Sequence, residues 1–268
     1  MASACSQEQN TSSSDELVEF SLSFAPYVTE PMSRANVSIA ELSKRLDVFI
    51  VNGADTISVH QNKDSQPDGF GSISATLNKT KNYSLYAVAH KGSGEAILRD
   101  GIISFTDNKI TDTFYYTASF TPSSSTVLSC VMHRIVGMFK MTIIDELPSN
   151  LAKVQFSISG SGLAYNVNGT PTNVGQKVST INNPSSATDG TTTFKIYCLA
   201  PSDVASTVSV TATALDSNDQ TIETKTFENV PLRAGYSSAY RGTFFVTTSG
   251  EMSFSGDDSW ENYDEENF

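Results

Sequence analysis

Short runs in which apolar and polar residues alternate fill most of this 268-residue chain, and such a period of two predicts β-strands. The first run, VEFSLSF, predicts a half-buried strand. Its apolar positions are Val18, Phe20, Leu22 and Phe24. Further runs follow about every 8–12 residues, separated by turn residues. The pair Asn52-Gly53 between two runs predicts a tight hairpin, and residues 39–45 fit one helical turn.

The longest apolar segment, residues 126–160, lies near the middle of the chain. From 127 to 144 both alternating faces are largely apolar, which predicts a long strand that is covered on both sides or changes its covered face part-way. Gly137 fits a bulge or bend at such a change. Residues 160–190 are polar and rich in Asn, Ser, Thr and Gly, so we expect a long excursion with at most one short hairpin.

Two successive sets of strands predict an all-β chain of two tandem β-sandwich domains. The Thr-Pro-Ser-Ser-Ser run that ends at 125 is the predicted linker between them. The predicted parts are a disordered tether at 1–15, an N-terminal sandwich at 16–125, a C-terminal sandwich at 126–256 and an acidic tail at 257–268.

The charge balance excludes two classes of partner. The chain has 29 acidic and 17 basic residues, a formal net charge of −12, so it lacks the basic surface that nucleic-acid phosphates or anionic lipids require. The tail holds six of the carboxylates and no basic residue. These carboxylates either bind Ca²⁺ or form a solvated terminus. The lack of a regular ligand spacing favours the solvated terminus.

No motif for catalysis is present. We expect His60 and His90 to be isolated strand-face or loop residues, and His133 to be a core or interface residue of its apolar strand. The chain contains no nucleophile elbow, zinc motif or nucleotide-binding loop. We therefore predict that the protein is not an enzyme and uses no cofactor or metal.

Aromatic residues leave an alternative function open. Tyr115 falls on the polar side of its predicted strand, Tyr236 and Tyr240 lie near the last strands, and Trp260 lies in the tail. Exposed aromatic rings stack on sugars, so a surface glycan-binding lipoprotein is the alternative hypothesis, although such residues are also ordinary in β-sheets.

The three cysteines fall into two kinds. Cys130 and Cys198 lie in apolar strand patterns and are either buried thiols or, in an exported protein, a disulfide. Cys5 follows Ala2-Ser3-Ala4 and precedes a polar run, as at the end of a bacterial lipoprotein signal, but an apolar signal region is missing before it. We interpret Cys5 as a lipidation site.

Arg34 is the remaining candidate for a processing site. It lies in the predicted loop after the first strand, in the segment PMSRA. A trypsin-like protease needs a basic residue in an accessible loop, and a cut here would free residues 1–34 and uncover a sheet edge or groove. The alternative is an ordinary solvent-facing arginine.

The chain as a whole resembles the fimbrillin superfamily of Bacteroidales, which includes FimA-like pilins and the FimB/Mfa-type anchor and accessory subunits of type V pili. Four stretches carry the resemblance: the start at Cys5, VEFSLSF with the following PMSRA, HRIVGMFKMTIIDELPSNLAKVQFSISG, and ENVPLRAGYSSAYRGTFF. The resemblance implies two transthyretin-like β-sandwich domains, lipidation at Cys5 and a location in the outer membrane or a fimbria at the cell surface.

The resemblance also implies a structural or adhesive pilus subunit that assembles by strand exchange, or an anchor or accessory subunit. A trypsin-like protease would cut after Arg34, the first strand would leave, and a strand of a neighbouring pilus subunit would fill its groove. The groove fillers would be Val18, Phe20, Leu22 and Phe24. A host or bacterial surface ligand is a further implied partner. The acidic tail departs from the apolar alternation of a donor strand, which leaves room for an anchor or tip role.

Overall fold

The structure is a computed structural model that describes residues 17–27, 38–123, 127–201 and 206–245, and the backbone of 253–257. These ranges contain one short helix, α1 (Ile39–Leu42), and seventeen strands. The strands are β1 (Leu17–Pro26), β2 (Arg45–Asn52), β3 (Asp55–Asn62), β4 (Ser72–Asn78), β5 (Tyr83–His90), β6 (Ala96–Arg99), β7 (Ile102–Phe105), β8 (Thr113–Phe120), β9 (Val127–Arg134), β10 (Val136–Ile143), β11 (Lys153–Asn166), β12 (Thr170–Asn182), β13 (Thr192–Leu199), β14 (Ser206–Leu215), β15 (Thr221–Leu232), β16 (Ser237–Gly242) and β17 (Ser253–Asp257). The all-β prediction is confirmed.

The first sheet has seven strands in the order β3-β2-β5-β8-β9-β1-β4. It folds over, so that β9, β1 and β4 cover β2, β5 and β8. Phe20 of β1 accordingly stacks on Phe120 of β8 with ring centroids 4.7 Å apart. The apolar side chains between these layers form the first core. At the hairpin between β2 and β3, Gly53 has a φ of +62°, which confirms the predicted Asn-Gly turn.

The second sheet has ten strands and folds in the same way. Seven of its strands follow one another in the order β15-β14-β11-β13-β10-β16-β17. In addition, β12 pairs with β11, and the hairpin of β6 and β7 joins the sheet because β7 pairs with β11. The second core is built around Phe139 of β10, whose ring lies 6.2 Å from Phe156 of β11 and 5.2 Å from Phe227 of β15. In both sheets the alternate apolar side chains of facing layers meet, as the period of two predicts.

The central apolar segment is two strands rather than one. β9 belongs to the first sheet, Ile135 lies between the strands, and β10 belongs to the second sheet. The prediction of a single strand from 127 to 144 is therefore wrong, while its two-sided apolar character is explained, since β10 has a core on each face. Gly137 is a regular residue of β10, opposite Cys198. The division of the chain into domains at residue 125 stays a prediction.

A third core joins the two sheets. It includes Phe49 and Tyr115 from the first sheet, and Val136 and Tyr165 from the second. The hydroxyl of Tyr115 donates a hydrogen bond to the carbonyl of Val167 at 2.8 Å, so polar contacts fix the same junction. The outer faces of β2, β5 and β8 are thereby buried where they meet the second sheet.

Residues 160–190 contain the largest difference from the sequence prediction. β11 continues to Asn166 and returns as β12, so a long two-stranded hairpin replaces the expected polar excursion with its one short hairpin. Lys177 points inward from β12, and its Nζ donates hydrogen bonds to the carbonyls of Ile110 at 3.4 Å and Tyr197 at 2.6 Å. Because most other residues of β12 face solvent, this strand lacks the apolar alternation that identifies a covered strand.

Candidate functional site

The candidate site is the slot that β1 occupies between two other strands. β1 pairs antiparallel with β4 from Leu17 to Ser23 and parallel with β9 from Ser21 to Pro26. The strand predicted from VEFSLSF is thus present, and it is an internal strand rather than a sheet edge. Removing it would leave two facing rows of unpaired backbone groups with an apolar floor between them.

The predicted groove fillers line the inner face of β1. Phe20, Leu22 and Phe24 are 3%, 1% and 5% exposed, and Val18, nearer the start of the strand, is half-buried. The opposite face is small and polar, with a 3.3 Å contact between the hydroxyls of Ser21 in β1 and Ser74 in β4. Three successive inward-facing side chains of β1 therefore belong to the first core, which is the arrangement that strand addition requires.

The end of β1 is held by contacts to β9 and to the turn before β4. The backbone N–H of Phe24 donates to the carbonyl of Gly71 at 2.9 Å, and that of Tyr27 donates to Met132 at 2.8 Å. The ring of Tyr27 stacks on His133 at 4.6 Å. His133 is exposed on the outer face of β9, so the core alternative predicted for it is wrong, and the interface alternative stays a prediction. Arg34 lies seven residues beyond Tyr27, where this segment ends, and is outside the described residues.

Two histidines that are distant in sequence meet at one buried carboxylate. Asp47, fully buried on β2, has its Oδ1 2.7 Å from Nδ1 of His60 and its Oδ2 3.2 Å from Nε2 of His90. The N–H of Ala96 also donates to Oδ2 at 2.9 Å. Burial raises the pKa of Asp47, but the hydrogen bonds from His90, Ala96 and His60 outweigh it and hold the pKa below 3.8.

This cluster corrects the expectation that His60 and His90 are isolated. Asp47 stands directly opposite His60 in the pairing of β2 with β3, and His90 reaches it from β5. An Asp within the apolar strand RLDVFIVN was the one available signal, since a buried carboxylate needs partners. Nδ1 of His90 accepts the N–H of Gly92 at 3.1 Å, so its Nε2 carries the proton that Asp47 accepts. The arrangement connects three strands, β2, β3 and β5.

The cysteines of the described ranges are separate buried thiols. Cys130 belongs to the first core and Cys198 to the second, and neither forms a disulfide. Burial raises the pKa of the Cys130 thiol to about 12, so it is protonated and unreactive at neutral pH. Among the residues that the structure describes, no group of three His, Cys, Asp or Glu side chains could hold a metal ion. Cys5 lies outside them.

Tyr115 is not one of the exposed aromatic rings that the glycan-binding alternative requires. That residue is 6% exposed and belongs to the third core, because the junction covers the side of β8 that the pattern marked as polar. Tyr236 and Tyr240 are half-buried, and Trp260 and the tail beyond 257 lie outside the described residues. Within the part of the chain that is described, no helix is long and apolar enough to cross a membrane.

Comparison with known proteins gives similar folds. No family model and no curated protein matches the chain. A candidate adhesin from Bacteroides thetaiotaomicron has a TM-score of 0.54 and 9% identity over 88% of this chain and 96% of that chain. A candidate cell adhesion protein from Bacteroides uniformis has a TM-score of 0.51 and 17% identity over 92% of this chain and 100% of that one. The fimbrial anchor protein Mfa2 from Porphyromonas gingivalis has a TM-score of 0.51 and 14% identity over 91% and 98%.

At these identities the similarity concerns the fold. It agrees with the resemblance to Bacteroidales fimbrillin-type proteins that the sequence indicates. The three neighbours are described as adhesion or fimbrial proteins and not as enzymes.

Proposed function

We propose that this protein is a structural or adhesive subunit of a bacterial surface fimbria, and that β1 is the strand exchanged in its assembly or retained in an anchor or accessory subunit. The observation that carries the proposal is the position of β1 between β4 and β9, with alternate side chains in the first core. The adhesion and fimbrial proteins that share the fold support the same class of function.

The energetics of the slot favour replacement over simple loss of β1. Burying Phe20, Leu22 and Phe24 contributes on the order of 2 kcal/mol for each side chain, before any hydrogen bond to the flanking strands is counted. An empty slot would expose this apolar surface and two unpaired strand edges. A cut β1 therefore stays bound until a strand of comparable pattern competes for the slot.

Arg34 is the proposed processing site. It is the only Lys or Arg among the first 43 residues, so a trypsin-like protease has one place to cut before Lys44. A cut after Arg34 separates residues 1–34, and with them β1, from the rest of the chain. In the same proposal Cys5 carries the lipid that tethers the protein to the outer membrane, and other pilus subunits supply or accept the exchanged strand.

Limited trypsin digestion of the wild type and of Arg34→Gln tests the first step. We expect a cut after Arg34 in the wild type, detected by mass spectrometry, and no cut among the first 43 residues of the variant. β1 should stay with the cut protein through gel filtration, because its buried side chains remain in place. Rapid cleavage at other sites with Arg34 intact would contradict the processing step.

Strand exchange is then measured with a labelled peptide of the β1 sequence, residues 17–26. The matched control is the same peptide with Phe20, Leu22 and Phe24 replaced by Ser. We expect the cut protein to take up the first peptide and not the second, and the uncut protein to take up neither. A cut protein that accepts no strand and stays monomeric would overturn the polymerising form of the proposal, and uptake without polymerisation would support the anchor or accessory form.

A further inference from the structure

The strand β12 has one long edge that pairs with no other strand in the described part of the chain. β12 pairs with β11 over its whole length, from Thr170 to Asn182, and its opposite edge is free. Asn173 has a φ of +52°, which interrupts the extended backbone near the start of the strand. The regular part of the free edge therefore runs from 174 to 182, and its midpoint is Val178.

The β12 edge lacks the charges that normally keep strand edges apart. β15, at the other side of the same layer, carries Glu223, Lys225 and Glu228. The one charged residue of β12 is Lys177, which is buried and points inward to two backbone carbonyls. Charged side chains on an edge strand oppose pairing with another chain, so one edge of this layer is protected and the other is open.

Two exposed valines lie along the open edge. Val174 is 68% exposed and Val178 is 55% exposed, and both lie with Gln176 and Thr180 on the outer face of β12. β-branched residues favour strands and are stabilised by a cross-strand neighbour. On the free side of β12 that neighbour is missing within the described chain.

We propose that the β12 edge pairs antiparallel with the same edge of a second copy of this chain, around a two-fold axis at Val178. This register uses the whole regular segment and places Val178 opposite its own symmetry mate. Gln176 then faces Thr180 of the other copy, so a side-chain amide meets a hydroxyl. Such an interface is isologous, with the same surface contributed by both copies.

A second copy fits this edge better than a charged partner or an apolar peptide. The regular segment offers no exposed charge for a charged partner to bind, and its outer face alternates valine with polar residues instead of forming a pocket. The two copies repel each other through their net charges of −12, so salt should strengthen the dimer by screening this repulsion. This edge lies on a different sheet from β1, and the inference does not depend on the proposed function.

The oligomeric state of the full chain tests the proposal. We expect analytical ultracentrifugation to show a monomer–dimer equilibrium that shifts towards dimer with increasing salt. Val178→Lys places two like charges opposite each other and should weaken the dimer by about tenfold or more. Thr224→Lys, at an exposed position on the charged β15 edge, is the matched control and should leave the dimer unchanged. Both positions are exposed, so at a protein concentration where the wild type is monomeric the melting temperatures of both variants should match it.

Disulfide trapping tests the register. In a Cys5→Ser background the remaining cysteines, Cys130 and Cys198, are buried. Val178→Cys should form a covalent dimer on mild oxidation, because directly opposite Cβ atoms in an antiparallel pair lie within about 5.5 Å. Thr224→Cys should not. A wild type that stays monomeric at all salt concentrations, a Val178→Lys variant that dimerises normally, or equal trapping of the two cysteine variants would each overturn the proposal.

Discussion

Truncation of Leu22 tests how strongly β1 is held in its slot. Leu22 is 1% exposed, lies in the middle of β1 and contacts the first core on the inner face of the strand. A Leu→Ala change at a fully buried site costs the transfer free energy of the lost atoms plus a cavity term, together about 3–5 kcal/mol. β1 is flanked by strands on both sides and cannot easily collapse onto the cavity, so we expect about 3 kcal/mol or more.

The chain offers a matched control in the same strand. Leu17 is 57% exposed at the start of β1, and Leu17→Ala makes the same chemical change with little loss of buried surface. We expect its effect on the free energy of unfolding to stay within about 0.5 kcal/mol. For a chain of this length a loss of 3 kcal/mol corresponds to a fall in melting temperature of about 5 °C, if unfolding is two-state.

The assay is urea denaturation followed by far-ultraviolet circular dichroism and by tyrosine fluorescence, which together show whether unfolding is two-state. Equal, small effects of Leu22→Ala and Leu17→Ala would refute the reasoning, because β1 would then contribute little to the first core. That result would also remove the reason to expect a cut β1 to stay in its slot. A large effect of Leu22→Ala alone would support the energetic basis of strand exchange.

Three further changes test the junction and the buried polar groups. Lys177→Met removes an ammonium group whose pKa is lowered by burial. Because the unfolded chain binds that proton more tightly, the wild type should gain stability relative to the variant as pH rises towards 10.5. Denaturation at several pH values measures this, and a constant difference would contradict it. Asp47→Asn should lower the free energy of unfolding by about 3 kcal/mol near neutral pH. In acid titrations this loss should disappear as pH falls below 3.8 and the wild-type carboxylate becomes protonated. A loss that does not depend on pH would argue against a charged Asp47. Gly137→Ala would place a Cβ 2.6 Å from Cδ1 of Leu232 and 2.7 Å from the carbonyl oxygen of Arg233. This overpacking should lower the melting temperature by several degrees, which corresponds to about 2 kcal/mol in the free energy of unfolding. An unchanged melting temperature would contradict the close packing.

The candidate site could be predicted well where one face of a strand meets solvent and the other a core. In β1 the alternation of Phe20, Leu22 and Phe24 with small polar residues identified both the strand and its buried face. Local sequence did not indicate that β4 and β9 would lie on either side of it. The two flanking strands are about 50 and 105 residues away in the chain, and neighbours at such separations are a property of the topology.

The same pattern failed where a third element covers a face that looks polar. Tyr115 alternates with apolar neighbours and was expected to be exposed, but the second sheet packs over its side of β8. β12 was missed for the opposite reason, since the side chains of its outer face are exposed and give no apolar period. His60 and His90 gave no joint signal because their common partner, Asp47, is brought to them by strand pairing.

By itself, the sequence determined that the chain is all-β, where most strands lie and which side chains of β1 face a core. Side-chain alternation is a local property of an extended backbone, so it can be read from neighbouring residues. The tertiary structure alone decided that β1 is an internal strand, that the central segment divides at Ile135 between two sheets, and that one edge of β12 has no partner strand among the described residues. These features depend on which distant strands form hydrogen bonds and which faces are covered, and the chain encodes them only through the packing of all its elements together.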